Sequence, residues 1–213
     1  MCLFNNKMTD LLNILLPPGK IHLKIGLYFG SFNPVHIGHM AIANYMVEYA
    51  GIDQLWFVVS PQNPHKRKEN LLNDIDRLEM VHLAVDDDFR FRVSDIEFRL
   101  PKPSYTIETL THLSEKYPDH HFSLIMGSDN LESLHKWKNA DAILENYGII
   151  VYPRPGFNKG SFVHLPKLII AEAPLMEISS TYIRDAIKKG KNIRHFLPPK
   201  VWAYIDKMGF YRK

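Results

Sequence analysis

The sequence predicts an α/β fold, a Rossmann-like doubly wound parallel sheet with helices on both faces. Short apolar, β-branched runs alternate along the chain with longer segments of helical periodicity. Helices spaced between apolar strands in this way imply a parallel sheet covered on both sides. Turns led by Gly30, Ser60 and Gly127 each follow such a run, and open parallel sheets bind ligands beyond the carboxyl ends of their strands.

Residues 1–20 read as an N-terminal extension to a single domain over 21–213, whose C-terminal portion is helical. In the extension, Leu11, Leu12, Ile14, Leu15 and Leu16 follow Lys7 much as in a signal peptide. Asp10 and Asn13 break the pattern, however, and no small-residue cleavage site follows. The run is also too short to span a membrane. A short amphipathic helix is the expectation, with Met8 as an alternative start. The first strand is expected near 22–29, and the Ala- and Met-rich segment after it predicts a helix over 38–50. A strand follows at 54–59, then a helix at 74–86 with Ile75, Leu78, Val81 (or Leu83) and Val85 as its apolar stripe. Strands are expected at 90–94, 121–126 and 147–152, with a shorter one at 168–171; helices at 106–116, 129–145, 180–188 and 199–207. Pro153-Arg154-Pro155-Gly156 through Gly160 reads as a loop within the domain.

Composition narrows the function classes. A chain of 213 residues suits one core of ordinary size. A net charge of +3 gives no bulk attraction to nucleic acid. The lone Cys2 excludes an internal disulfide framework and suits a reducing cytoplasm. No membrane partner is expected; a homo-oligomer is left open.

Gly30-Ser31-Phe32-Asn33-Pro34-Val35-His36-Ile37-Gly38-His39 carries most of the functional information. A strand, a tight turn and a helix start form a phosphate cradle, with backbone N–H groups and the helix dipole favouring an anion at one spot. His36 and His39 project from the helix start toward that spot. An imidazole can donate to an anionic oxygen, and as imidazolium it can offset charge that grows during reaction. Histidine pairs at this spacing also occur as plain surface pairs or as half of a metal site. No acidic residue lies between Asp10 and Glu48, and no metal-ligating residue is assigned. Further along, Ser179, Ser180 or Thr181 can cap a helix and present hydroxyls and free N–H groups at its start, with Arg184 in the first turn. A guanidinium fork there suits phosphate oxygens, and an ordinary cap with a solvated arginine is the bland alternative.

The first of these segments resembles the G-x-F-x-P-x-H-x-G-H signature of the nucleotidyltransferase superfamily. Ile178-Ser179-Ser180-Thr181-Tyr182-Ile183-Arg184 is similar to the I-S-S-T-x-I-R element of nicotinate and nicotinamide mononucleotide adenylyltransferases. Pro61-Gln62-Asn63-Pro64-His65-Lys66 resembles the P-x-x-P-H-K loop of the bacterial nicotinate enzymes. Ser104 to Leu110 resembles their S-Y-T-x-x-T-L segment, and Gly127, Asp129 and Trp137 their G-x-D…W segment. The likeness extends from about Lys24 to Tyr211. It implies transfer of the adenylyl group of ATP to a pyridine mononucleotide in NAD biosynthesis, with Mg²⁺ bridging the ATP phosphates. His36 and His39 would contact those phosphates, with Arg184 and Ser179–Thr181 on the β and γ groups. Gly30, Phe32 and Gly38 would shape the ATP site, while Gly127 and Asp129 would take the ribose. Ser31 and Lys66 would hold the mononucleotide phosphate.

Thr106 suits donation to a nicotinate carboxylate, or simply a helix cap. Trp137 suits stacking on the pyridine, or a place in the core. Asn33 departs from the Asp common in bacterial nicotinate enzymes and matches the nicotinamide-accepting relatives. The other segments favour nicotinate mononucleotide; nicotinamide or dual specificity is the alternative. From another class, a non-catalytic nucleotide sensor on the same fold should have lost a phosphate-contacting residue, yet His36, His39, Lys66 and Arg184 are all present.

Overall fold

The computed structural model describes residues 22–61, 71–101, 103–156, 165 and 167–212. Its strands are β1 (Lys24–Gly30), β2 (Gln54–Val59), β3 (Phe91–Ser94), β4 (His121–Gly127), β5 (Gly148–Tyr152) and β6 (Leu168–Ile170). All are parallel and lie in the order β3-β2-β1-β4-β5-β6. The order reverses between β1 and β4, which opens a crevice beyond Gly30 and Gly127.

Side chains alternate across the sheet, and both faces are apolar, as a parallel sheet requires. Leu55, Phe57 and Val59 of β2 join one buried cluster, while Trp56 and Val58 join the other. Helices α1 (Ile37–Tyr49), α2 (Asp74–Val85), α6 (Ser180–Lys188) and α7 (Pro199–Met208) pack on the first face. Helices α3 (Thr106–Lys116), α4 (Ser128–Ser133) and α5 (Ala140–Asn146) pack on the second. The doubly wound expectation therefore holds. No helix among the described residues is long and apolar enough to cross a membrane. The expectations for residues 1–20 and for Lys66 lie outside the described residues.

Two local expectations need correction. The helix expected over 129–145 is broken into α4, a 3₁₀ turn at Leu134–Lys136, and α5. The backbone is extended at Trp137 and left-handed at Asn139 (φ 52°), which a short amide side chain tolerates better than most. On α2, Ile75 is 67% exposed, while Arg77 faces the interior with Met80, Val81 and Val85. The buried stripe thus includes a charged residue that no hydrophobic pattern registers.

Candidate active site

The turn after β1 is shaped by an aromatic ring. Phe32 adopts a left-handed backbone (φ 44°) and folds its ring back over Gly30, where an added Cβ would lie 2.7 Å from Phe32 Cζ. The ring is 2% exposed and meets Tyr28, Phe57 and His39 edge-on at 5.7, 5.5 and 5.2 Å between centroids. The chain then enters α1 through His36, which is extended (φ −144°, ψ 171°) and serves as N-cap.

The two imidazoles lie in contact, with centroids 3.7 Å apart and planes 28° from parallel. His39 Nδ1 accepts from the His36 backbone N–H at 3.2 Å. That bond assigns the proton of the neutral ring to Nε2. His36 is 4% exposed; burial, then the nearby Arg154 charge, lower its pKa to about 4. In the ligand-free protein at neutral pH, His36 is therefore a neutral donor and acceptor, and the imidazolium role does not apply to it. Its Nδ1 is buried without a hydrogen-bond partner among the described residues. Gly38 leaves room for this ring, since an added Cβ would sit 3.0 Å from His36 Nδ1.

This burial has a consequence for stability. His36 titrates at about 4 when folded against an ordinary 6.5, so the unfolded chain takes up the proton first as pH falls. The contribution is fully present above about pH 6.5 and lost progressively down to about pH 4. It amounts to roughly 3 kcal/mol. Urea midpoints measured across that window should fall more steeply for the wild type than for His36→Gln. Identical slopes would remove His36 as the source.

The second motif is tied to the first through its side chains. Ser179 is the cap that α6 uses, accepting from Tyr182 N–H at 3.2 Å. Ser180 Oγ donates to Pro34 O at 2.9 Å. Arg184 donates from Nη1 to Asn33 O at 2.8 Å and from Nη2 to Thr181 Oγ1 at 3.2 Å. Asn33 is 3% exposed, and its Oδ1 accepts from Tyr211 OH at 2.7 Å and from Leu72 N–H at 3.4 Å. That oxygen holds the turn from behind, a positional role for the side chain that departs from the bacterial pattern.

A cleft of about 400 Å³ lies at the switch in strand order. Gly30, Ser31, Phe32, His36, Gly38, His39, Asp129, Ser179, Ser180, Thr181 and Arg184 line it, as expected for one site. Gly127 is not part of that lining; it is the N-cap of α4, where an added Cβ would approach Asp129 Oδ1 to 2.3 Å. Thr106 and Trp137 are not part of this lining. Thr106 opens α3 with Tyr105 as the cap, so the cap alternative for Thr106 is not what the helix uses. Trp137 is half-buried against the apolar cluster of the second face.

Arg154, which the sequence reads only as part of a loop, belongs to the lining. Its backbone N–H donates to Ser128 Oγ at 2.9 Å, its Nε lies 3.8 Å from Asp129 Oδ1, and its guanidinium is 5.1 Å from the centre of the Tyr152 ring. Its place just past the end of β5 was the available signal, because residues at strand carboxyl ends face the crevice. The cleft thus joins two helix N-termini, two imidazoles, two guanidiniums and one carboxylate, a donor-rich surface suited to a polyanion.

The family model described as cytidylyltransferase-like matches residues 27–186. A Flavobacterium johnsoniae protein named as a probable nicotinate-nucleotide adenylyltransferase is 58% identical over 90% of this chain and 100% of its own length. One of the same name from Cytophaga hutchinsonii is 50% identical over 89% of this chain and 98% of its own. Among solved structures, the Plasmodium falciparum nicotinic acid mononucleotide adenylyltransferase complexed with NaAD shares the fold. Its TM-score is 0.75 at 20% identity, over 90% of this chain and 98% of that one.

Proposed function

Because the chain belongs to the cytidylyltransferase-like family and, within it, to the nicotinate-nucleotide adenylyltransferases, we infer that it transfers the adenylyl group of ATP to nicotinate mononucleotide. The products are nicotinate adenine dinucleotide and pyrophosphate. One phosphate oxygen of the mononucleotide attacks the α-phosphorus of ATP. A P–O bond forms there as the bond to the bridging oxygen breaks, and its electron pair leaves on pyrophosphate. The attacking oxygen is already ionised at neutral pH, so no general base is required. Catalysis reduces to alignment and to stabilising the charge on the transferring group.

The observation that carries this reading is the joining of the two motifs across one cleft by the Ser180–Pro34 and Arg184–Asn33 hydrogen bonds. His36 and His39 donate to the ATP phosphates, with Arg184 and the Ser179–Thr181 helix start on the β and γ groups. Asp129 accepts from the ribose hydroxyls over Gly127, and Arg154 adds charge beside it. Gly30, Phe32 and Gly38 hold the cradle in shape. Ser31 and Lys66 take the mononucleotide phosphate, while Thr106 and Trp137 serve the pyridine end. Mg²⁺ would be supplied with ATP and would offset part of the charge on its phosphates. Such an ion would need few protein ligands of its own. We place the reaction in the cytoplasm, whose reducing milieu suits a chain with one cysteine.

Pyrophosphate release with ATP and Mg²⁺ tests this reading. Nicotinate mononucleotide should exceed nicotinamide mononucleotide in kcat/KM by about tenfold or more, worth at least ~1.4 kcal/mol. A ratio favouring nicotinamide would overturn the preference, and release with neither would overturn the transfer reaction.

A further inference from the structure

We propose that Arg77 is a positioning residue for the transfer, holding the phosphate-facing turn after β1 in register with the loop after β2. The proposal rests on the adenylyl-transfer reading above. Arg77 is fully buried, at 0% exposure, on the inward face of α2. A guanidinium has five N–H donors in a rigid planar fork. Here all five bonds are made. Nε donates to Leu72 O at 3.0 Å; Nη1 to Ser31 O at 2.6 Å and Ser60 O at 2.8 Å; Nη2 to Pro61 O at 3.3 Å and Asp74 Oδ1 at 2.6 Å.

Four of these five acceptors are backbone carbonyls from three separate segments. One is Ser31, in the turn that lines the cleft. Two are Ser60 and Pro61, immediately beyond β2. The fourth, Leu72, also donates to the Asn33 side chain. Ser60 N–H donates to Gly30 O at 2.9 Å, so the two turns meet directly and Arg77 locks the meeting point from below. The Ser31 carbonyl shares its peptide with the Phe32 N–H, and a charged donor on that oxygen polarises the whole group. A buried cation that has, among the described residues, one carboxylate partner is costly unless geometry and hydrogen bonds compensate, so this arrangement is poor as a mere stability device. Its reach to Ser31, which the proposed function assigns to the mononucleotide phosphate, explains it better.

A lysine at this position keeps the charge but supplies at most three donors without the fork. Arg77→Lys should remain folded by urea titration. It should raise the KM for nicotinate mononucleotide, and the mononucleotide Kd measured by calorimetry, by about tenfold or more. The KM for ATP should change less than about threefold. A folded Arg77→Lys whose two KM values rise together, or not at all, would overturn the proposal. Should Arg77→Lys fail to fold, Asp74→Asn loosens the same guanidinium from α2. It should weaken mononucleotide binding several-fold with ATP binding unchanged, and unchanged mononucleotide binding there would equally overturn the role. A wild type that binds mononucleotide without turnover would sink the adenylyl-transfer reading alone, leaving the Kd ratio to decide on Arg77. No mononucleotide binding by the wild type would sink both.

Discussion

His39→Ala is expected to lower kcat by about 10² to 10⁴-fold while the chain stays folded. The ring lines the cleft, stacks on His36 at 3.7 Å and lies edge-on to Phe32 at 5.2 Å and to Tyr28 at 6.1 Å. Its Nδ1 is engaged by the His36 N–H, which leaves the proton on Nε2. A donor fixed in this way needs no reorganisation when negative charge grows on the transferring phosphoryl group, so its loss falls on the transition state more than on ground-state binding. The expected fall corresponds to about 3–5 kcal/mol. The KM for ATP should shift far less than kcat, and His39→Asn should recover part of the rate by restoring a donor. A folded His39→Ala with unchanged kcat would take His39 out of the mechanism.

The parallel sheet and its strands could be anticipated because each strand announces itself through a local apolar run, and the resemblance put the two motifs on one ligand. The cleft then follows from the rule for strand carboxyl ends. What escaped was of a different kind. Arg77 carries no signal in the sequence, because its acceptors are carbonyls from residues 31, 60, 61 and 72, none of which a side-chain pattern can show. The bond from Tyr211 to Asn33 spans 178 residues, so Asn33 could be compared with relatives but not placed. The neutrality of His36 depends on how deeply α1 and the Arg154 loop enclose it, a tertiary property. Trp137 and Asn139 break a helix whose composition alone supports continuation. Local periodicity specified elements, and long-range polar bonds specified how the site is held.

Phe32 shows the same division at a single residue. Its φ of 44° places a bulky side chain in the left-handed region, which disfavours non-glycine residues by roughly 1–2 kcal/mol. The conformation persists because the ring fills the space over Gly30 and contacts the Tyr28, Phe57 and His39 rings. Phe32→Ala removes that filling and keeps the strain, so it should destabilise by about 3–5 kcal/mol, a large share of a total of about 5–15. Urea unfolding should show a lower midpoint with little change in slope. Phe32→Gly loses the same ring but relieves the left-handed strain. It should therefore be at least as stable as Phe32→Ala, although glycine ordinarily loses more entropy on folding. If Phe32→Gly proved clearly the weaker of the two, the turn would owe nothing to the balance between strain and ring burial. Both variants should also lose activity, because His39 would no longer be wedged against an aromatic edge at the mouth of the cradle.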